Sequence, residues 1–162
     1  MHLDNNGSKH QLMLAEQHLL NVVNPQYRLE YVYLAHLCRC FVMSGRPWEA
    51  WQLYLQTETN SDSWNLLYLI ANDCYKMGAF YYAAKAFDAL ETLESTLDLN
   101  AQYYQGKRAS ICGVFQMVIC GKEMKEHLLD VLQLIENDDN PQTAFIFRVI
   151  RHWCDDNDIH ES

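Results

Sequence analysis

The chain has 162 residues and a formal net charge of -9, a length that fits one domain able to bury about two-thirds of its unfolded surface without disulfide bonds. Its 6 glycines and 3 prolines are too few for a turn-rich sheet protein, and they predict an all-α fold of long helices. The acidic balance argues against a generic nucleic-acid binder, because neutralising phosphates requires clustered Lys and Arg side chains.

The first residues, 1–10, are polar and are predicted to be disordered. They have neither the hydrophobic core of a signal peptide nor an Arg-rich presequence, and no apolar run in the chain reaches the roughly 18 residues needed to cross a bilayer. We therefore expect a soluble intracellular protein without membrane insertion. Residues 12–23 then carry apolar side chains at helical spacing, and this helix should stop before Pro25, because proline disfavours helix in the residue that precedes it.

Two helical hairpins are predicted next, over residues of about 27–57 and 61–94. The first hairpin has its turn at 44–47, where Pro47 suits the first turn of a helix because that position does not need its N–H. The second hairpin begins after a cluster of N-cap formers at 60–63.

The two hairpins repeat one residue pattern at an offset of 33 residues. Gly45 and Ala50 in the first hairpin correspond to Gly78 and Ala83 in the second, and five further pairs keep the same offset. Small residues let the backbones of paired helices approach, and glycine can adopt the positive φ that ends a helix. The order of large, small, aromatic and turn residues is close to the tetratricopeptide pattern. It predicts an α-solenoid, a right-handed superhelix of helical hairpins.

The rest of the chain is predicted to complete and cap this stack. A third, degenerate hairpin is expected over about 100–137, with its turn at Gly121, and a helix over 141–154 should cover the exposed end with its apolar stripe. The repeat domain as a whole would span 11–154. The last residues, 155–162, are acidic and are predicted to form a flexible tail. The wider acidic end, residues 136–162, could bind a basic partner, although a solvated surface is the simpler explanation.

The six cysteines suggest a metal site or disulfide bonds, but their spacing supports neither. In the densest cluster Cys38 and Cys40 would point about 200° apart on a helix, so only His36 and Cys40 share a face. No CxxC pair is present, and Cys38 and Cys74 occupy small-residue positions of the repeat, where a free thiol acts as a small hydrophobe. The sequence also contains no phosphate-binding loop, nucleophile elbow or HExxH motif. We therefore predict no metal, no cofactor and no enzymatic activity.

Aromatic and basic residues around the hairpins are the candidates for a protein interface. Aromatic side chains left on a solenoid surface are typical of binding sites, although packing between repeats is the alternative explanation for them. The predicted interface residues are Trp48, Trp51, Tyr81, Tyr82, Lys107 and Arg108.

A second hypothesis is a receptor for a peptide carboxylate, because stacked hairpins form a concave groove lined by the first helix of each pair. Asn72 and Lys76 occupy groove positions at which some tetratricopeptide domains grip the C-terminal carboxylate of a chaperone. The equivalent positions in the first hairpin are Arg39 and Met43, so the set of carboxylate-binding groups is incomplete. Asn72 could equally form a hydrogen bond across repeats.

Beyond its repeat pattern, the order of residues in the chain resembles that of one particular protein family. The runs Tyr31–Thr59, Leu69–Glu91 and Tyr103–Glu123 are similar to the C-terminal part of intraflagellar transport protein fifty-six, the tetratricopeptide subunit of the complex B train that moves cargo along cilia and flagella. The likeness covers nearly the whole chain. It includes the stretches NDCYKMG and GKR, which a generic repeat would not require.

This resemblance implies a non-catalytic scaffold subunit that docks onto other complex B core subunits, notably intraflagellar transport protein forty-six. It also implies delivery of motility-related cargo into the axoneme, and a location at the cilium or flagellum and basal body with a cytoplasmic pool. Members of the family carry a long N-terminal repeat array, and their last helix tends to be basic. This chain has Asp155, Asp156 and Asp158 at the end of that helix, so charge-dependent docking there would differ.

Overall fold

Helices account for all the regular structure in the part of the chain that the computed structural model describes, which comprises residues 31–58, 61–93 and 100–162. These ranges hold seven helices and no strand, and none of the helices is long and apolar enough to cross a membrane. In chain order they are α1 (Tyr31–Met43), α2 (Pro47–Leu55), α3 (Ser61–Lys76), α4 (Phe80–Leu93), α5 (Asn100–Ile119), α6 (Lys125–Gln133) and α7 (Pro141–Asp156). The all-α prediction is confirmed, and the helices are compatible with a tetratricopeptide-like solenoid. The helix predicted over 12–23 and the disorder predicted for 1–10 lie outside the described residues.

Three of the turns between helices share one backbone geometry. Gly45, Gly78 and Gly121 have φ values of 83°, 76° and 72°, in the left-handed region that favours glycine. In each turn the glycine N–H donates to the carbonyl three residues earlier, and the following N–H donates to the carbonyl five residues earlier, over 2.8 to 3.2 Å. This pair of hydrogen bonds satisfies carbonyls that a helix end leaves without partners. The sequence pattern predicted all three turn positions correctly.

The chain divides between Tyr82 and Ala83 into two compact units. In the first unit α1 packs against both α2 and α3. The buried apolar side chains of this unit include Leu34, Leu37, Phe41, Ala50, Leu66, Leu67, Ile70 and Ala71. Ala50 and Ala71 are 0% exposed, as expected of small residues at positions where helices approach closely.

In the second unit α5 packs against α6 and α7. Its buried core includes Leu90, Ile111, Val114, Leu128, Val131, Ile135 and Ile150. Gly106 lets α5 lie against Phe87, because a Cβ at that position would be only 2.8 Å from the aromatic ring. The start of α7 is capped by Asn140, whose Oδ1 accepts the backbone N–H of Gln142 at 2.9 Å and of Thr143 at 3.3 Å.

The end of α7 differs from the prediction. The helix reaches Asp156, two residues beyond the predicted end. Asp158 then takes a φ of 56°, and the N–H of Ile159 donates to the Cys154 carbonyl at 2.9 Å, the same arrangement as in the glycine turns. Ile159 is 5% exposed. Because the turn returns the apolar side chain of Ile159 to the folded unit, the chain up to Ile159 belongs to that unit. The prediction that a flexible tail begins at residue 155 therefore placed its start too early.

Candidate interaction surfaces

The four aromatic residues of the predicted interface differ in exposure. Trp48, at the start of α2, is 47% exposed, and Tyr82 in α4 is half-buried. Trp51 is only 8% exposed, with its ring centroid 5.4 Å from that of Tyr54. Tyr81 is 6% exposed and meets the Tyr82 ring edge-on at 5.0 Å between centroids. Trp51 and Tyr81 therefore pack within the fold, which was the alternative explanation for the aromatic residues. Trp48 and part of Tyr82 remain accessible.

Lys107, predicted as an interface residue, is a core residue of the second unit. Its side chain is 5% exposed, and Nζ lies 3.2 Å from Asp88 Oδ1 and 2.7 Å from Glu91 Oε2. The contact with Glu91 is an ion pair without hydrogen-bond geometry, whereas Nζ donates to Asp88 and, at 3.5 Å, to the carbonyl of Leu134. These contacts join α4, α5 and the segment after α6. Lys107 is therefore not accessible to a partner, because its ammonium is enclosed by groups that compensate its charge.

Arg108 points to a different side of α5 from its neighbour, because successive residues of a helix differ by about 100°. It is half-buried, with its guanidinium carbon 4.5 Å from the centroid of the Tyr104 ring. Its Nη1 donates to Gln142 Oε1 at 3.0 Å. Among the described residues no carboxylate forms an ion pair with Arg108, so this guanidinium remains available for one.

The two residues of the alternative peptide groove lie one turn apart on α3. Lys76 is exposed, whereas Asn72 is half-buried and its Nδ2 donates to the carbonyl of Tyr68 in its own helix at 2.8 Å. Arg39, at the equivalent position of the first hairpin, donates from Nε to Asp73 Oδ2 at 3.1 Å and from Nη2 to Oδ1 at 3.4 Å. Asn72 and Arg39 are thus engaged within the protein, and the peptide-receptor hypothesis gains no support from the geometry.

The pair of Arg39 and Asp73 links α1 to α3 and was not anticipated from the sequence. The side chain of Asp73 is 4% exposed, whereas that of Arg39 is 52% exposed. A carboxylate buried to this extent requires compensation, which the two guanidinium donors supply. The two residues stand 34 positions apart, close to the repeat offset of 33. At the repeat offset Arg39 matches Asn72, so Asp73 lies one residue beyond the matching position, and the spacing only placed the two residues near each other on the first helices of the two hairpins.

Four cysteines, Cys38, Cys40, Cys74 and Cys154, are buried, whereas Cys112 and Cys120 are exposed. Burial raises the pKa of the Cys38 thiol to about 12, with smaller contributions from Cys74 and Asp73, and burial followed by Asp73 raises that of Cys74 to about 12. Both thiols are therefore protonated at neutral pH and resemble small hydrophobes. Within the residues that the structure describes, no group of three or more His, Cys, Asp or Glu side chains could hold a metal ion.

A shallow groove of about 610 Å³ lies between α5 and α7 in the second unit. Its lining is mainly apolar and includes Ala109, Cys112, Phe145 and Ile146, together with the polar side chains of Arg108 and Gln142. Phe145 is 60% exposed, and Val149 one turn further along α7 is 44% exposed. The sequence predicted α7 as a cap, so this exposed apolar face was not among the predicted candidates for an interface. The sequence indicated the apolar stripe of this helix, but it did not indicate which apolar side chains of the helix would be exposed.

The hairpins, their glycine turns and the 33-residue offset define a helical-repeat protein, a class whose members present extended binding surfaces. A family model described as Intraflagellar transport protein 56 matches residues 5–162. The chain therefore belongs to the intraflagellar transport protein 56 family, as its resemblance predicted. The intraflagellar transport protein 56 homolog of Caenorhabditis elegans is 30% identical over 149 residues, which cover 90% of this chain and 25% of the worm protein. The chain thus spans about a quarter of the length of that relative.

Proposed function

We propose that this chain acts in intraflagellar transport as a non-catalytic scaffold or adaptor of complex B, supporting cilium assembly and the transport of motility-related cargo. The observation that carries the proposal is its membership of the intraflagellar transport protein 56 family over residues 5–162. The architecture supports it, because helical hairpins place accessible side chains on rigid elements, as a protein that holds other proteins requires.

The proposed partners are other core subunits of complex B, especially intraflagellar transport protein forty-six, together with motility cargo. Nucleic acid, a cofactor and membrane insertion have no part in the proposal. The corresponding location is the cilium or flagellum and the basal body, with a cytoplasmic pool.

The proposed contact residues are the members of the predicted interface that remain accessible. In the first unit these are Trp48 and the exposed part of Tyr82, and in the second unit Arg108. Trp48 is the strongest single candidate, because nearly half of a large aromatic side chain is in contact with water, and its burial by a partner would be favourable. Lys107 is excluded from the contact set, because reversal of its charge would disturb the core before it affected a partner.

Affinity purification of the tagged chain from ciliated cells at moderate salt, with mass spectrometry of the bound proteins, tests the proposed function. We expect enrichment of complex B subunits over an unrelated bait of similar charge. If the folded bait recovers none of these subunits, the proposed function of this chain is refuted.

Trp48→Ala tests the proposed contact in the first unit, with Val32→Ala as its matched control. Val32 is 63% exposed on α1 and is not part of the predicted interface. We expect Trp48→Ala to lower the recovery of complex B subunits, whereas Val32→Ala leaves it unchanged. Equal recovery with both variants would remove Trp48 from the interface.

A further inference from the structure

The groove between α5 and α7 exposes apolar side chains that the second unit does not cover. Phe145 is 60% exposed and Val149 is 44% exposed, and they stand four residues apart on the same side of α7. Ala109 and Cys112 line the groove from α5, and Ile146 lines it from α7. Exposed apolar side chains beside a concave surface are typical of a docking site, because a partner that covers them removes apolar area from water.

The same groove holds an oriented cation. Arg108 stacks on Tyr104 and donates to Gln142, two contacts that restrict the rotation of its side chain. The described residues provide no carboxylate as an ion-pair partner. Asp138 accepts the backbone N–H of Asn140 at 2.8 Å and does not pair with Arg108. A guanidinium held in place beside an apolar surface is suited to a carboxylate, since its planar donors match the two carboxylate oxygens and less entropy is lost on binding.

We propose that the groove between α5 and α7 binds an acidic amphipathic helix of a partner protein. The apolar face of that helix would lie on Phe145, Ile146 and Ala109, and an Asp or Glu at its edge would pair with Arg108. A groove between two helices accepts a third helix through apolar anchors at helical spacing. The inference deepens the proposed adaptor function, on which it rests, by naming the chemistry of one docking segment.

The test selects binders from a phage-displayed library of helix-forming peptides on the immobilised 162-residue chain. Enriched peptides are then titrated by fluorescence anisotropy against the wild-type chain and against Arg108→Gln and Phe145→Ser. Lys122→Gln and Ile119→Ser are the matched controls, because each makes the same kind of change at an exposed residue of the second unit outside the groove. Circular dichroism establishes that each variant is folded before binding is measured.

We expect the enriched peptides to carry apolar residues at helical spacing with an adjacent Asp or Glu. Arg108→Gln should raise Kd roughly tenfold, the size of one charge-assisted hydrogen bond at a partly exposed site, and Phe145→Ser should raise it by a similar factor. The two control variants should bind like the wild type. Exchange of the acidic peptide residue for its amide should weaken binding to the wild type but change little with Arg108→Gln.

Three results would overturn the inference: a selection without helical binders, enriched peptides without acidic residues, or affinities that Arg108→Gln and Phe145→Ser leave unchanged. The recovery of complex B subunits from cells is a separate outcome. If the wild-type chain recovers none of them while acidic peptides still bind the groove, the proposed function fails and the binding chemistry of the groove stands. If the wild-type chain recovers them and the groove binds no peptide, the adaptor function stands without this docking site.

Discussion

Replacing Lys107 by Met should destabilise the chain by about 2 kcal/mol. Each hydrogen bond to a charged group contributes about 1.5–3 kcal/mol, and removing one member of a buried ionic cluster leaves its partners uncompensated. The side chain of Lys107 is 5% exposed, whereas those of Asp88 and Glu91 are 33% and 28% exposed. Both carboxylates can recover part of their hydration after the substitution, so the expected loss lies at the lower end of that range.

The matched control is Arg108→Met, which likewise replaces a cationic side chain by an uncharged, unbranched one at the adjacent position. Arg108 has one hydrogen bond to a neutral amide and no ion pair with a described residue, so its replacement should change stability by no more than about 0.5 kcal/mol. Urea unfolding monitored by circular dichroism gives both free energies. In thermal unfolding the Lys107 variant should melt roughly 4–8 °C lower for a chain of this size.

Two results would refute the argument about Lys107. Equal stability changes for the two variants would mean that the buried cluster of Lys107 contributes no more than the half-buried charge of Arg108. The second test adds Asp88→Asn and Glu91→Gln to Lys107→Met, which removes the uncompensated carboxylates. We expect this triple variant to be more stable than Lys107→Met alone, because neutral amides tolerate the loss of the ammonium better. If the additional changes brought no recovery, the cost would have another origin.

Four further outcomes follow from the local surroundings and backbone geometry of single residues. Gly106→Ala should destabilise by about 1–2 kcal/mol, because overpacking against Phe87 outweighs the gain in helix propensity, and an equal loss in a Phe87→Leu background would contradict this cause. Asp158→Gly should stabilise by about 0.5–1 kcal/mol in urea unfolding, since its φ of 56° favours glycine, whereas a lower midpoint would argue against strain there. Cys38 and Cys74 should resist iodoacetamide at pH 8, because their pKa values of about 12 keep them protonated. The contribution of these two thiols to stability in urea unfolding should be constant below about pH 9 and should fall as pH rises from 9 towards 12, because the thiols ionise first in the unfolded chain.

The helices and turns were the predictable part of this fold. Gly45, Gly78 and Gly121 were expected to end helices, and all three adopt the left-handed φ that such an end requires. This success has a local cause, because a glycine turn depends on the backbone of a few consecutive residues. The end of α7 was predicted wrongly, because the residue that forms its turn is not a glycine. Asp158 takes the glycine role there, and an aspartate in an acidic segment does not indicate a turn by itself.

The candidate site was harder to predict, because exposure depends on neighbours that are distant in the chain. Trp48 and Trp51 belong to one short helix, yet the first is 47% exposed and the second 8% exposed. Their sequence context offered no basis for choosing between an interface and packing. The groove between α5 and α7 was missed because its two walls are separated by α6 in the sequence and meet only in the folded unit.

The sequence by itself determined the all-α class, the repeat offset, the turn positions and the family, since these follow from local backbone preferences and from the order of the residues. The tertiary structure alone decided which charges serve the core and which remain available for binding. Lys107 and Arg108 are adjacent cations with the same formal charge, but α4 supplies two carboxylates to the first, while the second stacks on Tyr104 beside an open groove. The physical reason is that a helix turns by about 100° per residue, so neighbouring side chains enter different surroundings that only the packing of other helices creates.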